Sequence, residues 1–277
     1  MQLNFIKMHG LGNDFIMADG RDLEGLDVCE LAKTLCHRQT GVGADGLIYC
    51  LPSETADIRM CIVNSDGSTA EMCGNGIRCF AKYVYEKGLV QKEEMSVETL
   101  AGIMRPRLLL KGGKVDSVCV DMGTPHLEAE EIPALGKGKC INRELDVLGK
   151  RIRYTSVLMG VPHTMVFVDS LDELDIALFG NAIEHAEVFP RRTNVNFVHV
   201  LDDHTVEMRT WERGCGRTLA CGTGASATAV ACVLNGKTGR KVDVHIELGA
   251  LHIEWADNDH VYMTGPAAES FRGTVQV

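Results

Sequence analysis

Two related halves of mixed α/β (α+β) character are what this sequence predicts, and three observations carry that expectation. Its 277 residues are about 1.8 times a domain of roughly 150 residues, so two compact domains are the natural reading. Strand-like runs rich in β-branched residues are interspersed with runs whose apolar residues keep helical spacing. The string Cys73-Gly74-Asn75-Gly76 returns as Cys221-Gly222-Thr223-Gly224 after 221 minus 73, or 148, residues, and each copy opens a helix-like run.

Taken along the chain, Asp27 to His37 reads as a helix: Asp27 suits the N-cap, Glu30 follows three positions later, and Leu31 and Leu35 share a face. Gly41-Val42-Gly43-Ala44-Asp45-Gly46 copies the letters of a dinucleotide-binding loop. The polar helix end Cys36 to Thr40 precedes it, however, and strand-like Leu47-Ile48-Tyr49 follows, an order that is backwards for that use. Ile58 to Val63 reads as a strand. After Cys73, the positions Ile77, Phe80, Ala81 and Val84 keep helical spacing until Gly88, a helix stop. In the second half Met165 to Val168, Val195 to Val200 and Val206 to Trp211 read as strands. Ala225 to Leu234 is small or apolar on almost every side, the mark of a buried helix, and Asn235 and Gly236 close it. At the same 148 offset Met60 falls on Met208, Gly12 on Gly160, and Asp27 on Asp175, another helix start.

Composition narrows the function. Lys and Arg number 28 against 38 Asp and Glu, a net charge of −10 with no basic block, which disfavours nucleic acid as a partner. With 45% apolar and 24% charged residues the chain is unlike a disordered one. Eleven cysteines cannot all pair within one chain, and the N-terminus has no basic segment followed by an apolar run of signal-peptide length, so a reducing cytoplasm is the expected location. No apolar run approaches the 18 or so residues of a membrane span, so no membrane partner is expected.

A cysteine before Gly-x-Gly at a helix start has a specific use. The glycines let the backbone approach a ligand, the first-turn N–H groups can hold an anion, and the positive helix end lowers a thiol pKa from about 8.5 toward neutrality. Two such turns from two facing domains would grip one carboxylate from both ends, with a sulfur on either side of its α-carbon, which suits removal of a proton from one face and its return on the other. Zinc is not expected, because Cys73 to Cys79 and Cys215 to Cys221 are each separated by five residues. The other nine cysteines read as small apolar fillers.

These residues carry a family resemblance. Lys7 to Phe15, Gly41 to Leu47, Asn64-Ser65-Asp66-Gly67, Glu71 to Cys79, Pro162-His163, Glu212-Arg213-Gly214, Thr218 to Gly224 and Gly265-Pro266-Ala267 together make the chain resemble the diaminopimelate epimerases, cofactor-independent two-cysteine amino-acid racemases. The resemblance implies interconversion of L,L- and meso-diaminopimelate on the way to lysine and peptidoglycan, with Cys73 and Cys221 exchanging the roles of thiolate base and thiol acid, no metal and no cofactor. It implies that Asn13, Asn64, Asn194, Glu212 and Arg213 contact the substrate's amino and distal groups, while backbone N–H groups of Gly74, Asn75, Gly222 and Thr223 hold the reacting carboxylate. His163 stands between an active-site helper and a hydrogen-bonded structural histidine. The implied fold has a curled, mostly antiparallel sheet around a central helix in each half, an active site in the cleft between them, and a C-terminal strand returning to the first half. The domains are then 1–121 with 268–277, and 122–267, and the assembly a homodimer.

Three departures bear on specificity. Val161 stands where the family usually has asparagine, and by the offset it is the partner of Asn13; Arg217 replaces a common glutamate; Cys215 adds a third thiol. A racemase of another amino acid would keep both cysteines and change the distal pocket. A cysteine hydrolase leaves the second Cys-Gly-x-Gly without a use, whereas a thiol redox sensor would use the thiols without turnover.

Overall fold

The computed structural model describes residues 2–277. They fall into two compact units, one running through Val120 and taking back Gly265–Val277, the other Asp121–Thr264.

The first unit opens with β1 (Gln2–Gly10) and β2 (Asn13–Asp19), followed by α1 (Val28–Cys36), β3 (Gly46–Leu51), β4 (Ile58–Asn64) and the short β5 (Thr69–Ala70). Then come α2 (Gly74–Glu86), β6 (Val97–Thr99), β7 (Gly102–Met104) and the antiparallel hairpin β8 (Arg107–Lys111) and β9 (Lys114–Asp121). Asp27 caps α1 as expected, its carboxylate accepting from the N–H groups of Cys29 and Glu30. Gly88 adopts φ +73 just past the end of α2, the left-handed geometry that stops a helix there. The core joins Leu3, Phe5, Ile16, Leu47 and Val63 of the strands with Ala32 and Leu35 of α1. α2 lies against β1, β2 and β3 and buries Ile77, Phe80, Ala81 and Val84 completely, each large apolar side chain contributing about 1.5–3 kcal/mol.

The second unit repeats this plan with β10 (Arg143–Val147), β11 (Lys150–Met159), β12 (Val161–Phe167), α3 (Ile176–Glu184), β13 (Asn194–Val200) and β14 (Thr205–Glu212). It continues with β15 (Gly216–Thr218), α4 (Gly222–Leu234), β16 (Lys241–Ile246), β17 (Gly249–Trp255) and β18 (Val261–Pro266). α4 packs on β11 to β14, β16 and β17. Its run of Ala, Ser and Thr is buried from Gly224 to Cys232, as a helix apolar on all sides should be, and the small side chains allow strands to close around it.

The repeat is structural as well as lexical. Shifted by 148 residues, Asn13–Asp19 falls on Val161–Phe167, Val28–Cys36 on Ile176–Glu184, and Gly74–Glu86 on Gly222–Leu234, end for end. Pairing follows suit: Phe15 faces Gly46 in a parallel pair, as His163 faces Asn194. Each unit mixes two such parallel neighbours, β2/β3 and β4/β6 or β12/β13 and β14/β16, into an otherwise antiparallel sheet. The final strand, β19 (Ala268–Gln276), returns to the first unit and pairs antiparallel with β1 from Gln2 opposite Gln276 to His9 opposite Ala268. Among the described residues no helix is long and apolar enough to cross a membrane.

Candidate active site

Cys73 is the N-cap of α2 and Cys221 the N-cap of α4, both with extended backbone (φ −142 and −133). Each therefore presents its sulfur at the positive end of a 13-residue helix, where first-turn N–H groups favour negative charge. The second glycine of each motif is demanded by packing. A Cβ on Gly76 would stand 2.9 Å from Ile48 Cδ1, and one on Gly224 would stand 2.7 Å from Asn196 Oδ1 and 3.2 Å from the Cys221 sulfur.

In the first unit Cys73 Sγ accepts from Gly76 N–H at 3.3 Å and lies 3.5 Å from Asn13 Oδ1. Asn75 Nδ2 donates to the same Asn13 oxygen at 3.2 Å. Asn13 is held in that orientation because its Nδ2 donates to Asp45 at 2.7 Å, and Asp45 is in turn paired with Arg38 at 2.7 Å. Asp14, next in sequence, takes both Arg38 and the buried Lys7; burial raises its carboxyl pKa, but those two cations outweigh burial and hold it below the usual carboxylate value. Asn64 ends β4, its side-chain amide donating to Ser68 Oγ at 3.0 Å within the following turn. Gly74 and Asn75 form the first turn of α2.

In the second unit a chain of side chains leads to Cys221. Thr210 Oγ1 donates to Asn196 Oδ1 at 3.0 Å, and Asn196 Nδ2 lies 3.2 Å from His163 Nδ1 and 3.7 Å from Met165 Sδ. The His163 ring is fully buried, and loss of water together with the charge of Arg213 pushes its pKa down to about 3, so it is neutral. With Nδ1 accepting from Asn196, the ring proton sits on Nε2 and is directed at Thr223 Oγ1, 3.0 Å away. That leaves the Thr223 hydroxyl proton to point at Cys221 Sγ, at 3.5 Å. Asn194 Nδ2 donates to Pro162 O, and its Oδ1 accepts from the backbone N–H of Arg213 at 2.9 Å. Glu212, at the end of β14 as Asn64 is at the end of β4, accepts from Thr218 Oγ1 at 2.6 Å. The Arg213 guanidinium donates to the carbonyl of Arg191 at 3.0 Å.

Other thiols sit differently. Burial pushes Cys79 and Cys232 up to about 12, and they remain protonated fillers. Cys215 is exposed, and partial burial together with the carboxylates of Glu212 and Glu184 raises its pKa. Arg217 is engaged with Glu247 at 2.6 Å, and Val161 lies partly exposed at the start of β12.

A family model described as diaminopimelate epimerase matches residues 5–128 and 155–269. The chain belongs to the diaminopimelate epimerase family. A diaminopimelate epimerase from Moorella thermoacetica is 54% identical to it over 275 residues, covering 98% of both chains. Another, from Desulfitobacterium hafniense, is 52% identical over 277 residues, 99% of this chain and 98% of that one. Among solved structures, a PhzF-family phenazine biosynthesis protein from Bacillus anthracis superposes with a TM-score of 0.72 at 16% identity over 100% of both chains. A hydroxyproline epimerase from Agrobacterium vitis gives 0.66 at 18% identity over 99% of this chain and 91% of that one. At such identities these structures share the fold, and the duplicated α+β architecture expected of the diaminopimelate epimerase family is the one found.

Within this family frame, sequence reading missed Asp45 and Arg38, which orient Asn13, and Asn196 and Thr210, which orient His163. Asp45 lay inside a string set aside as a nucleotide loop and quoted for the family resemblance, but the residue itself was given no role. Asn196 lay in the middle of a strand, and its polar side chain in an otherwise apolar run was the available signal. Arg78 was also missed: it is fully buried, donating to Gly74 O at 3.1 Å and Pro266 O at 3.2 Å.

Proposed function

We propose that this chain interconverts L,L- and meso-diaminopimelate by two-base proton transfer between Cys73 and Cys221. The observation that carries the reading is the equivalence of the two cysteines, each the N-cap of the central helix of its unit. In the forward step one thiolate takes the α-hydrogen and becomes a thiol, the electron pair stays on the α-carbon and carboxylate, and the other thiol delivers its proton to the opposite face and becomes a thiolate. The chemistry asks for one sulfur on each face of one carbon. The first-turn amides of Gly74, Asn75, Gly222 and Thr223 suit the carboxylate charge that grows in this step, with no cofactor needed in the scheme. Arg213 matches a second carboxylate by a bidentate pair, supported by Asn13, Asn64, Asn194 and Glu212 at the amino and distal groups. His163 acts as a helper to Cys221 through Thr223. A cytoplasmic homodimer, with catalytic halves 1–121 plus 268–277 and 122–267, completes the reading.

The test is incubation with L,L-diaminopimelate in deuterated water. Deuterium entering the α-position together with appearance of the meso isomer is the expected result. Recovery of unexchanged substrate, or exchange only after adding a metal or pyridoxal phosphate, overturns the reading.

A further inference from the structure

The turn that carries Arg213 is fastened at two successive amides. Asn194 takes the N–H of Arg213, and Glu184, the last residue of α3, takes the N–H of Gly214 through Oε1 at 3.2 Å. The second carboxylate oxygen of Glu184 accepts from Trp211 Nε1 at 2.7 Å, and Arg192 Nη1 lies 3.6 Å from the first. Glu184 is 2% exposed, and removing a carboxylate from water is costly unless it is paired and hydrogen-bonded. α3 is drawn close enough for these bonds by Gly180, where a Cβ would stand 2.5 Å from the Trp211 ring.

The internal repeat shows that the fold itself does not require this carboxylate. At the position of Glu184 the first unit has Cys36, and at the position of Arg213 it has Ser65, whose N–H is held by a backbone oxygen, that of Asp45, at 3.0 Å. The buried carboxylate occurs in the half whose turn bears the guanidinium.

We infer that Glu184 is a positioning residue for substrate binding: it fixes the Arg213–Gly214 peptide and thereby the direction in which the Arg213 guanidinium meets the substrate's distal carboxylate. The inference rests on the proposed function, because Arg213 binds that carboxylate only if the substrate is a diaminopimelate.

The experiment compares wild type, Glu184→Gln, Arg213→Ala and the double variant on L,L-diaminopimelate. Whichever way the glutamine amide turns, either Trp211 Nε1 or Gly214 N–H loses its acceptor. Loss of a bond to a charged group predicts a KM raised about tenfold, with kcat held within about threefold. In the Arg213→Ala background the same change should alter KM by less than about twofold, since the two residues then share one path. Trp211 emission, read with Trp255→Phe as background, should shift in Glu184→Gln, reporting the altered bond independently of turnover. If the glutamine variant does not accumulate, Glu184→Asp, which draws the charge back by one methylene, should show the same split between KM and kcat. A wild type that turns over diaminopimelate beside a Glu184→Gln protein of unchanged KM overturns the role of Glu184 alone, as does an equal effect in the Arg213→Ala background. A wild type that does not turn it over removes the functional reading, and this inference with it.

Discussion

His163 Nε2 stands 3.0 Å from Thr223 Oγ1, and this bond turns the Thr223 hydroxyl toward Cys221. A buried neutral imidazole thus acts as a fixed hydrogen-bond donor two steps from a sulfur, which suits a thiolate on Cys221 when the substrate arrives.

Thr223→Val keeps the shape and removes the hydroxyl. Loss of one hydrogen bond to a charged sulfur predicts a kcat reduced about tenfold or more. Iodoacetamide should alkylate Cys221 more slowly in the variant while the rate at Cys73 is unchanged, measured by peptide mass spectrometry; equal rates at Cys221 would contradict the bond's direction.

The same histidine makes stability depend on pH. Its folded pKa of about 3 lies below the unfolded value of about 6.5, so between these values the unfolded chain binds a proton that the folded chain does not. Stability is therefore lost as pH falls from about 6.5 toward 3, by about 1.4 kcal/mol per unit at most from this group. Urea denaturation at pH 7, 6 and 5 should show a steeper decline for wild type than for His163→Gln.

Gly224→Ala and Gly76→Ala should differ. The new methyl at 224 meets Asn196 Oδ1, which is bonded to Thr210, whereas that at 76 meets chiefly the end of the flexible Ile48 side chain. Gly224→Ala should cost about 1–3 kcal/mol of stability and much of the activity by displacing Asn196, with Gly76→Ala the milder. Thermal melts and turnover of the two variants check the order.

Cys73→Ala and Cys221→Ala should each lower epimerisation by about 10²-fold or more with unchanged circular dichroism, because in the proposed scheme each removes one of the two proton-transferring groups. Cys215→Ala should cost little. A Cys215 variant as inactive as Cys221→Ala would mean the pair has been misassigned.

Val161→Asn places an amide at the position equivalent to Asn13. A regained hydrogen bond to a charged group, about 1.5–3 kcal/mol, should raise kcat/KM for L,L-diaminopimelate and do less for an amino acid without a second head group. An unchanged preference would show that position 161 does not read the distal carboxylate.

What the chain alone determined follows from local rules. Asp27 before Glu30 announced the cap of α1, Gly88 the stop of α2, and the two Cys-Gly-x-Gly strings at one offset announced both the duplication and the two helix N-caps on which the proposed cysteine pair rests. Caps, stops and periodicity are properties of a few neighbouring residues, so they survive in a linear text. The resemblance motifs added the return of β19 to the first unit, a crossing that neither period nor spacing encodes. Tertiary structure decided the rest. Asp45 meets Asn13 across 32 residues, Asn196 meets His163 across 33, and Glu184 meets Gly214 across 30. Asn196 and Glu184 are polar groups buried by strand pairing or helix packing and Asp45 is partly covered, and the partner of each is settled only when the sheet registers bring donor and acceptor together. Burial likewise turned His163, ambiguous in sequence, into a neutral donor, because desolvation is a property of the packed unit and not of the residue.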